Sequence, residues 1–298
     1  MRRIRSISEF HSLRGLSQPE HPLVSVVDME DIKVFATAEK MVFDFYLISL
    51  KHSMNVKAKY GQQAYGLNEG ILSFMSPNQV LGLEINDRTA IPTGQMLLIH
   101  EDFLWNTSLA RNIKHYDYFD YSVNEALFLS GKEEKVILEI IEHIKQEYHS
   151  NIDKFSKQIM VSHIETLLNY AERFYNRQFT IREKNHHQIL ERLEVILTAY
   201  FDNDDLIAKG IPTVQYIAES LNLSASYLGS LLRVLTGQNT QQHIHEKLID
   251  KAKEKLSVTN LSVTEIAYTL GFEHPQSFSK LFKTKTDFSP SAFRQSFN

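Results

Sequence analysis

The stretch Leu261–Asn298, LSVTEIAYTLGFEHPQSFSKLFKTKTDFSPSAFRQSFN, holds two short helical patterns with a tight turn between them. Ser262 and Glu265 have capping-box spacing, which satisfies free N–H groups at a helix start. Gly271 suits the turn, because glycine adopts positive φ without steric penalty. In the helix that follows, Phe278, Leu281 and Phe282 fall on one side, and Pro275, Gln276, Ser279 and Lys280 on the other. Helical hairpins are common, so one such pattern decides little.

The pattern occurs twice. Thr213–Gly237, TVQYIAESLNLSASYLGSLLRVLTG, aligns with Ser262–Asp287. Ile217-Ala218 matches Ile266-Ala267, Leu221 matches Leu270, and Leu228, Leu231 and Leu232 match Phe278, Leu281 and Phe282. Thr213 and Ser224 are the expected caps of the first copy, and Asn222 holds the place of Gly271. Each copy reads as helix, turn, helix. The outward face of the first copy's second helix is Ala225, Ser226, Gly229 and Ser230. Between the copies, Ile244, Leu248, Ala252 and Leu256 recur at i+4 steps, which predicts one long helix over Thr240–Leu256. Those residues span about 26 Å at 1.5 Å each. With the short links, the copies stand near the ~34 Å repeat of duplex DNA. A major groove admits one helix from each.

Upstream the text changes character. Met41–Leu50, Gly70–Ser76, Val80–Asn86 and Gly94–His100 read as short strands bounded by turn residues, which predicts a small barrel or sandwich. Val136, Ile137, Ile140, Ile141 and Ile144 then fall at helical spacing, and a second helix runs from about Asp153 to Asn176. The short link makes them an antiparallel pair, packed on the barrel or forming a dimer seam. A third helix covers about His187–Phe201. The expected plan is α+β: residues 1–130 a strand-rich domain, 131–180 a helical hairpin, and 181–298 an all-α domain of two helix-turn-helix units (213–237 and 262–287) joined by the helix 240–256.

Composition bounds the function. The chain has 298 residues, 43% hydrophobic and 23% charged, as expected of a soluble globular protein with two cores. It has no cysteine, which removes disulfides and thiolate metal sites. No apolar run approaches the ~20 residues that span a bilayer. The start, MRRIRSISEF, has no apolar stretch behind its arginines and makes a poor export signal. Net charge is −4, but residues 211–298 carry nine Lys/Arg against seven Asp/Glu, while the remainder carries 23 against 29. The charge expected of a nucleic-acid partner thus sits in the tail.

Residues from about Pro212 to Asn298 resemble the DNA-binding domain of AraC/XylS-family transcription regulators. The resemblance rests on Ser262-Val263-Thr264-Glu265-Ile266-Ala267, Leu270-Gly271-Phe272, Ser277–Lys283 and Ser289-Pro290-x-x-Phe293-Arg294. It implies a regulator with a cupin-like N-terminal barrel and a helical dimerisation hairpin. Many members have arginine or lysine where Ser230 stands, a larger polar residue where Gly229 stands, and glycine where Asp287 stands.

The base-facing candidates are Ser226, Gly229 and Ser230 in the first copy, and Pro275, Gln276, Ser279 and Lys280 in the second. Gln276 has the geometry for bidentate bonding to adenine, and Lys280 reaches guanine or phosphate. Arg233, Lys283, Lys285 and Arg294 are the phosphate candidates. Tyr46, Tyr60, Tyr65, Phe74 and Trp105 are the effector-pocket candidates, on the rule that such pockets are mostly apolar. Expected partners are double-stranded DNA, a small-molecule effector, RNA polymerase and a second copy of the chain, in the cytoplasm, with no membrane, metal or cofactor. A rival reading is a cupin-type metal enzyme, which needs His52, His100 and His115 to converge. Another is a ligand-binding module that no longer binds DNA.

Overall fold

The computed structural model describes residues 1–33, 38–51, 70–84, 93–122, 125–150, 153–181, 183–203 and 206–296. They fall into two compact units, Met1–Gln178 and Phe179–Asn298.

The first unit carries two sheets. β1 (Arg2–Ile4), β3 (Ala38–Phe43) and β6 (Val80–Glu84) form one, with β1 parallel and β6 antiparallel to β3. β2 (Val24–Asp28), β7 (Gly94–His100), β4 (Phe45–Lys51), β5 (Gly70–Met75) and β8 (Leu127–Leu129) form an antiparallel sheet in that order. Among the described residues neither sheet closes on itself, so the expected barrel is found as two sheets. The chain passes from one sheet to the other at Asp44. The run Met41–Leu50, read above as one strand, breaks there into β3 and β4, which belong to different sheets. The Asp44 amide donates to the Ile4 carbonyl at 3.0 Å, and its carboxylate accepts from Arg3 Nε at 2.8 Å. The Arg3 Nη2 donates to Asn78 Oδ1 at 2.8 Å, and the Asn78 amide donates to the Phe43 carbonyl at 2.8 Å. A carboxylate in an apolar run needs such partners, and meeting that need turns the chain from one sheet into the next. The corner buries Phe43 and Phe45 together, ring centroids 5.3 Å apart, against Phe10 of helix α1 (Ile7–Arg14).

Short helices α2 (Glu101–Leu104) and α3 (Leu109–Asn112) follow β7. Then come α4 (Gly131–Tyr148) and α5 (Ser156–Ile181). A capping box of Ser130 and Glu133 starts α4, and Ile137, Ile140, Ile141 and Ile144 are its buried face. That face packs on β2 and β8. Lys145 Nζ reaches Asp28 of β2 at 2.6 Å. From α5, Arg177 Nη2 donates to the Phe128 carbonyl at 2.7 Å, and Gln178 Oε1 accepts from the Phe128 amide at 2.9 Å. Both helices are therefore tied to the sheet, α4 through its apolar face and α5 through Arg177 and Gln178. No helix among the described residues is long and apolar enough to cross a membrane.

The second unit is helical: α6 (Glu183–Phe201), α7 (Leu206–Lys209), α8 (Val214–Leu221), α9 (Ala225–Thr236), α10 (Thr240–Val258), α11 (Val263–Thr269), α12 (Pro275–Thr286) and α13 (Pro290–Gln295). The linking helix buries Ile244, Leu248, Ala252 and Leu256, the four residues its i+4 pattern marks. One continuous core joins both copies, with Ile217 and Leu228 of the first, Ile266 and Phe278 of the second, and Leu193 and Leu197 of α6. Lys247 and Lys251 of α10 reach Glu194 and Asp202 at 3.2 and 2.7 Å, fastening α10 to α6 and the turn after it.

Candidate nucleic-acid interface

The two copies are built alike from local chemistry. Thr213 Oγ1 accepts from the Tyr216 amide at 3.1 Å and starts α8; Asn222, at φ 58°, ends it. Ser224 Oγ accepts from the Tyr227 amide at 3.1 Å and starts α9; Gly237, at φ 76°, ends it. In the second copy Ser262 Oγ accepts from the Glu265 amide at 3.1 Å, while Glu265 Oε2 accepts from the Ser262 amide at 2.7 Å. Those bonds hold the exposed Glu265 carboxyl below its ordinary pKa. Gly271, at φ 83°, makes the turn. Pro275 sits in the first turn of α12, where no N–H is missed, and Asp287, at φ 63°, ends the helix. Asp287 thus takes the left-handed conformation that Gly237 takes in the first copy.

The second helix of each copy buries one side. Leu228, Leu231 and Leu232 of α9 and Phe278 and Phe282 of α12 are fully enclosed; Leu281 is half-buried. The outward faces differ. On α12, Gln276 and Lys280 are exposed, with Pro275 and Ser279 half-buried beside them. On α9, Ser226, Gly229 and Ser230 are half-buried and short, and a Cβ added at Gly229 would meet nothing within 4 Å. The second copy therefore presents long polar side chains, and the first a nearly bare helix.

Charge follows the same division. On α10, Lys247, Lys251 and Lys253 each lie within 4 Å of a carboxylate, at distances of 3.2, 2.7 and 3.8 Å. Among the described residues Lys280, Lys283 and Lys285 of α12 have no such ion pair, and all three are exposed. Lys285 lies beside His245 of α10, whose pKa is lowered by burial first and by that lysine second. Arg233 is exposed on α9. Arg294 is different. It is half-buried on α13, and its Nε donates to the Leu256 carbonyl near the end of α10 at 3.2 Å. Its Nη2 is buried with no hydrogen-bond partner among the described residues. The guanidinium therefore braces α13 against α10.

Sequence reasoning passed over two residues just ahead of α12 and one in its first turn. Glu273, His274 and Ser277 are exposed, and His274 is the N-cap residue yet makes no side-chain capping bond. The helical wheel does not mark them. The signal that could have is position, since a recognition helix meets base edges with its N-terminal residues.

Residues 217–296 match the family model for a helix-turn-helix domain. The raffinose operon transcriptional regulatory protein RafR of Pediococcus pentosaceus is 36% identical over 84 residues, covering 28% of this chain and 30% of that protein. The Msm operon regulatory protein of Streptococcus mutans is 37% identical over 82 residues, again 28% and 30% of the two chains. This stretch is an AraC-type helix-turn-helix domain. An HTH-type regulator of Pseudoalteromonas carrageenovora matches over 99 residues at 32% identity, covering 33% of this chain and 57% of that protein. The match thus covers well under two thirds of these curated relatives. Among solved structures, the C-terminal domain of the response regulator AraT from Geobacillus stearothermophilus is 28% identical, covering 36% of this chain and 84% of that one, with a TM-score of 0.32.

Outside the AraC-type domain the candidates separate. Tyr46 and Phe74 are core residues, 5% exposed each, and both pack on Phe119, at 5.1 and 5.4 Å between ring centroids. Burial first, and then Glu101 and Asp120, push the Tyr46 hydroxyl up to about 12. Trp105 is 62% exposed on the surface. Tyr60 and Tyr65 lie outside the described residues, as does His52. His100 Nδ1 accepts from the Asp102 amide at 3.3 Å and caps α2, while His115 is exposed. Among the described residues no three His, Asp or Glu side chains gather in a way that could hold a metal ion.

Proposed function

We propose that this chain is a sequence-specific DNA-binding transcription regulator of the cytoplasm. Its AraC-type domain engages double-stranded DNA, and its sheet unit answers to a small-molecule effector. The observation that carries the reading is α12: an exposed Gln276 and three exposed lysines on a helix whose opposite side is locked by Phe278 and Phe282. In this reading Gln276 bonds an adenine edge, and Lys280 reaches guanine O6/N7 or phosphate. Lys283 and Lys285 neutralise phosphates, as does Arg233 on the other copy. Ser226, Gly229 and Ser230 let α9 approach the duplex closely, contributing shape and backbone contact more than base reading. Arg294, tied to Leu256, is withdrawn from the phosphate set.

The matches to the operon regulators of Pediococcus and Streptococcus span only 28% of this chain, so they leave the effector open. The cupin-like sensing role belongs to the two-sheet unit, where Tyr46, Phe74 and Phe119 are packed core and the effector's place is left to experiment. A homodimer through the hairpin is favoured by Phe155 and Ile159, one turn apart around the start of α5 and 58% and 40% exposed. RNA polymerase is the expected partner once the DNA is bound.

Selection of genomic fragments bound by the purified chain at physiological salt tests the reading. A recurring motif is expected, and recovery of random sequence only would end it. On that motif Gln276→Ala should cost about 1–3 kcal/mol and relax preference at a single base pair. Equal loss on motif and random DNA would remove Gln276 from base reading.

A further inference from the structure

The two helix-turn-helix copies differ at one turn position in a way that local geometry does not require. Asn222 and Gly271 hold the same place, at φ 58° and 83°. The surrounding bonds are the same. The Asn222 and Leu223 amides donate to Glu219 and Ala218 carbonyls at 2.9 and 2.9 Å; the Gly271 and Phe272 amides donate to Tyr268 and Ala267 carbonyls at 3.0 and 3.1 Å. Asparagine therefore satisfies this turn in the first copy, so positive φ alone does not demand glycine in the second.

What differs is the neighbour. A Cβ on Gly271 would stand 2.8 Å from the carbonyl carbon of Gly210, 3.0 Å from its Cα and 3.1 Å from the Ile211 nitrogen. All three are main-chain atoms, which cannot swing aside as a side-chain tip can. The turn of the second copy thus rests directly on the backbone that leads into the first. Gly210 is itself held there. Its amide donates to the Leu206 carbonyl at 2.8 Å, and its carbonyl accepts from the Tyr200 hydroxyl of α6 at 3.1 Å. The contact is one-sided: a Cβ on Gly210 would find only the Gly271 carbonyl oxygen, at 3.8 Å.

We propose that the Gly210–Gly271 backbone contact is the joint that sets the register of the two DNA-reading helices, and that Gly271 and Tyr200 are positioning residues for DNA recognition. The inference rests on the reading of α9 and α12 given above. Helix α10 and the shared core, which holds Ile217 and Leu228 of one copy and Ile266 and Phe278 of the other, already join the copies. The glycine contact adds a connection of another kind, main chain against main chain, from the turn before α12 to the segment before α8. Side-chain contacts in a core can repack, whereas a backbone contact has no such freedom, so this joint fixes the spacing of the recognition helices. One inserted base pair moves a half-site by about 3.4 Å and about 35° around the duplex, so a fixed pair tolerates little insertion.

Two asparagine variants isolate the joint, since asparagine accepts positive φ at both sites. The full chain carrying Gly271→Asn adds a Cβ into the Gly210 backbone; Gly210→Asn adds one at ordinary van der Waals distance, 3.8 Å from the Gly271 carbonyl oxygen. Affinity is measured on the selected genomic motif and on the same duplex with one base pair inserted between its halves. Wild type and Gly210→Asn should each lose about tenfold or more on insertion. Gly271→Asn should bind the uninserted motif about tenfold more weakly and show less penalty for insertion. Tyr200→Phe, which adds no atoms, should show the same relaxed spacing in milder form. Amide exchange over residues 263–272 is read in parallel and needs no DNA: Gly271→Asn and Tyr200→Phe should quicken it, Gly210→Asn should not. Equal behaviour of the two asparagine variants in exchange, or unchanged exchange in Tyr200→Phe, would overturn the joint. Failure of the wild type to select any DNA would instead overturn the functional reading, leaving exchange to judge the contact.

Discussion

Gly229 is a glycine in the middle of a helix, with nothing beside it that a methyl group would strike. Glycine in a helix interior costs about 1 kcal/mol relative to alanine. Gly229→Ala should therefore raise stability to urea by about that amount, read by far-ultraviolet circular dichroism. If the variant also binds the selected motif less well, the bare surface of α9 is there for the duplex. Lys283 and Arg294 make a second residue-scale test, since both are basic and close in sequence. Lys283 is exposed without an ion pair, so Lys283→Ala should flatten the salt dependence of DNA binding by about one unit of slope. Arg294 donates to the Leu256 carbonyl, so Arg294→Gln should lower stability and leave the slope unchanged. An altered slope in Arg294→Gln would return it to the phosphate contacts. Here the sequence was legible in part. It marks both as basic, but charge alone does not say whether a guanidinium faces water or the carbonyl end of a neighbouring helix.

At the scale of elements, caps and stripes carry most of the information. The capping box of Ser262 and Glu265, the caps Thr213 and Ser224, and the i+4 stripe of α10 all appear where local rules put them. Local hydrogen bonding decides such features, so they can be read from a few neighbouring residues. Ser262→Ala should lower stability by about 1 kcal/mol, because the Glu265 amide loses its side-chain acceptor. The strand Met41–Leu50 shows the opposite case. Its residues favour extended structure throughout, and propensity does not reveal that the chain changes sheets at Asp44. That decision depends on Arg3 and Asn78, residues 41 and 34 positions away in the chain.

For the molecule as a whole, two cores with separate memberships underlie the two units. In the first unit the Asp28–Lys145 pair fastens α4 to β2 at 2.6 Å. Burial alone would raise the Asp28 carboxyl, but bonds from Lys145 and Gln95 outweigh it and hold it below its ordinary 3.8. A depressed carboxylate adds stability above its unfolded-state pKa, and that stability fades as pH falls through the folded value. Stability of the native chain should therefore decline below about pH 4, and Asp28→Asn should flatten that acid limb in urea titrations. An unchanged acid limb would show that the pair carries no such load.

The sequence by itself determined the repeated helix-turn-helix, its caps, its inward faces and the long helix between the copies. Each follows from interactions within a turn or two of one helix, and the composition of neighbours is enough to specify them. Only the tertiary structure decided that one core serves both copies, that Arg294 is a brace, and that Gly271 rests on the Gly210 backbone. Those outcomes join residues separated by tens of positions. Their physical cause is close packing of backbone and side chain in space, which no periodicity along the chain records.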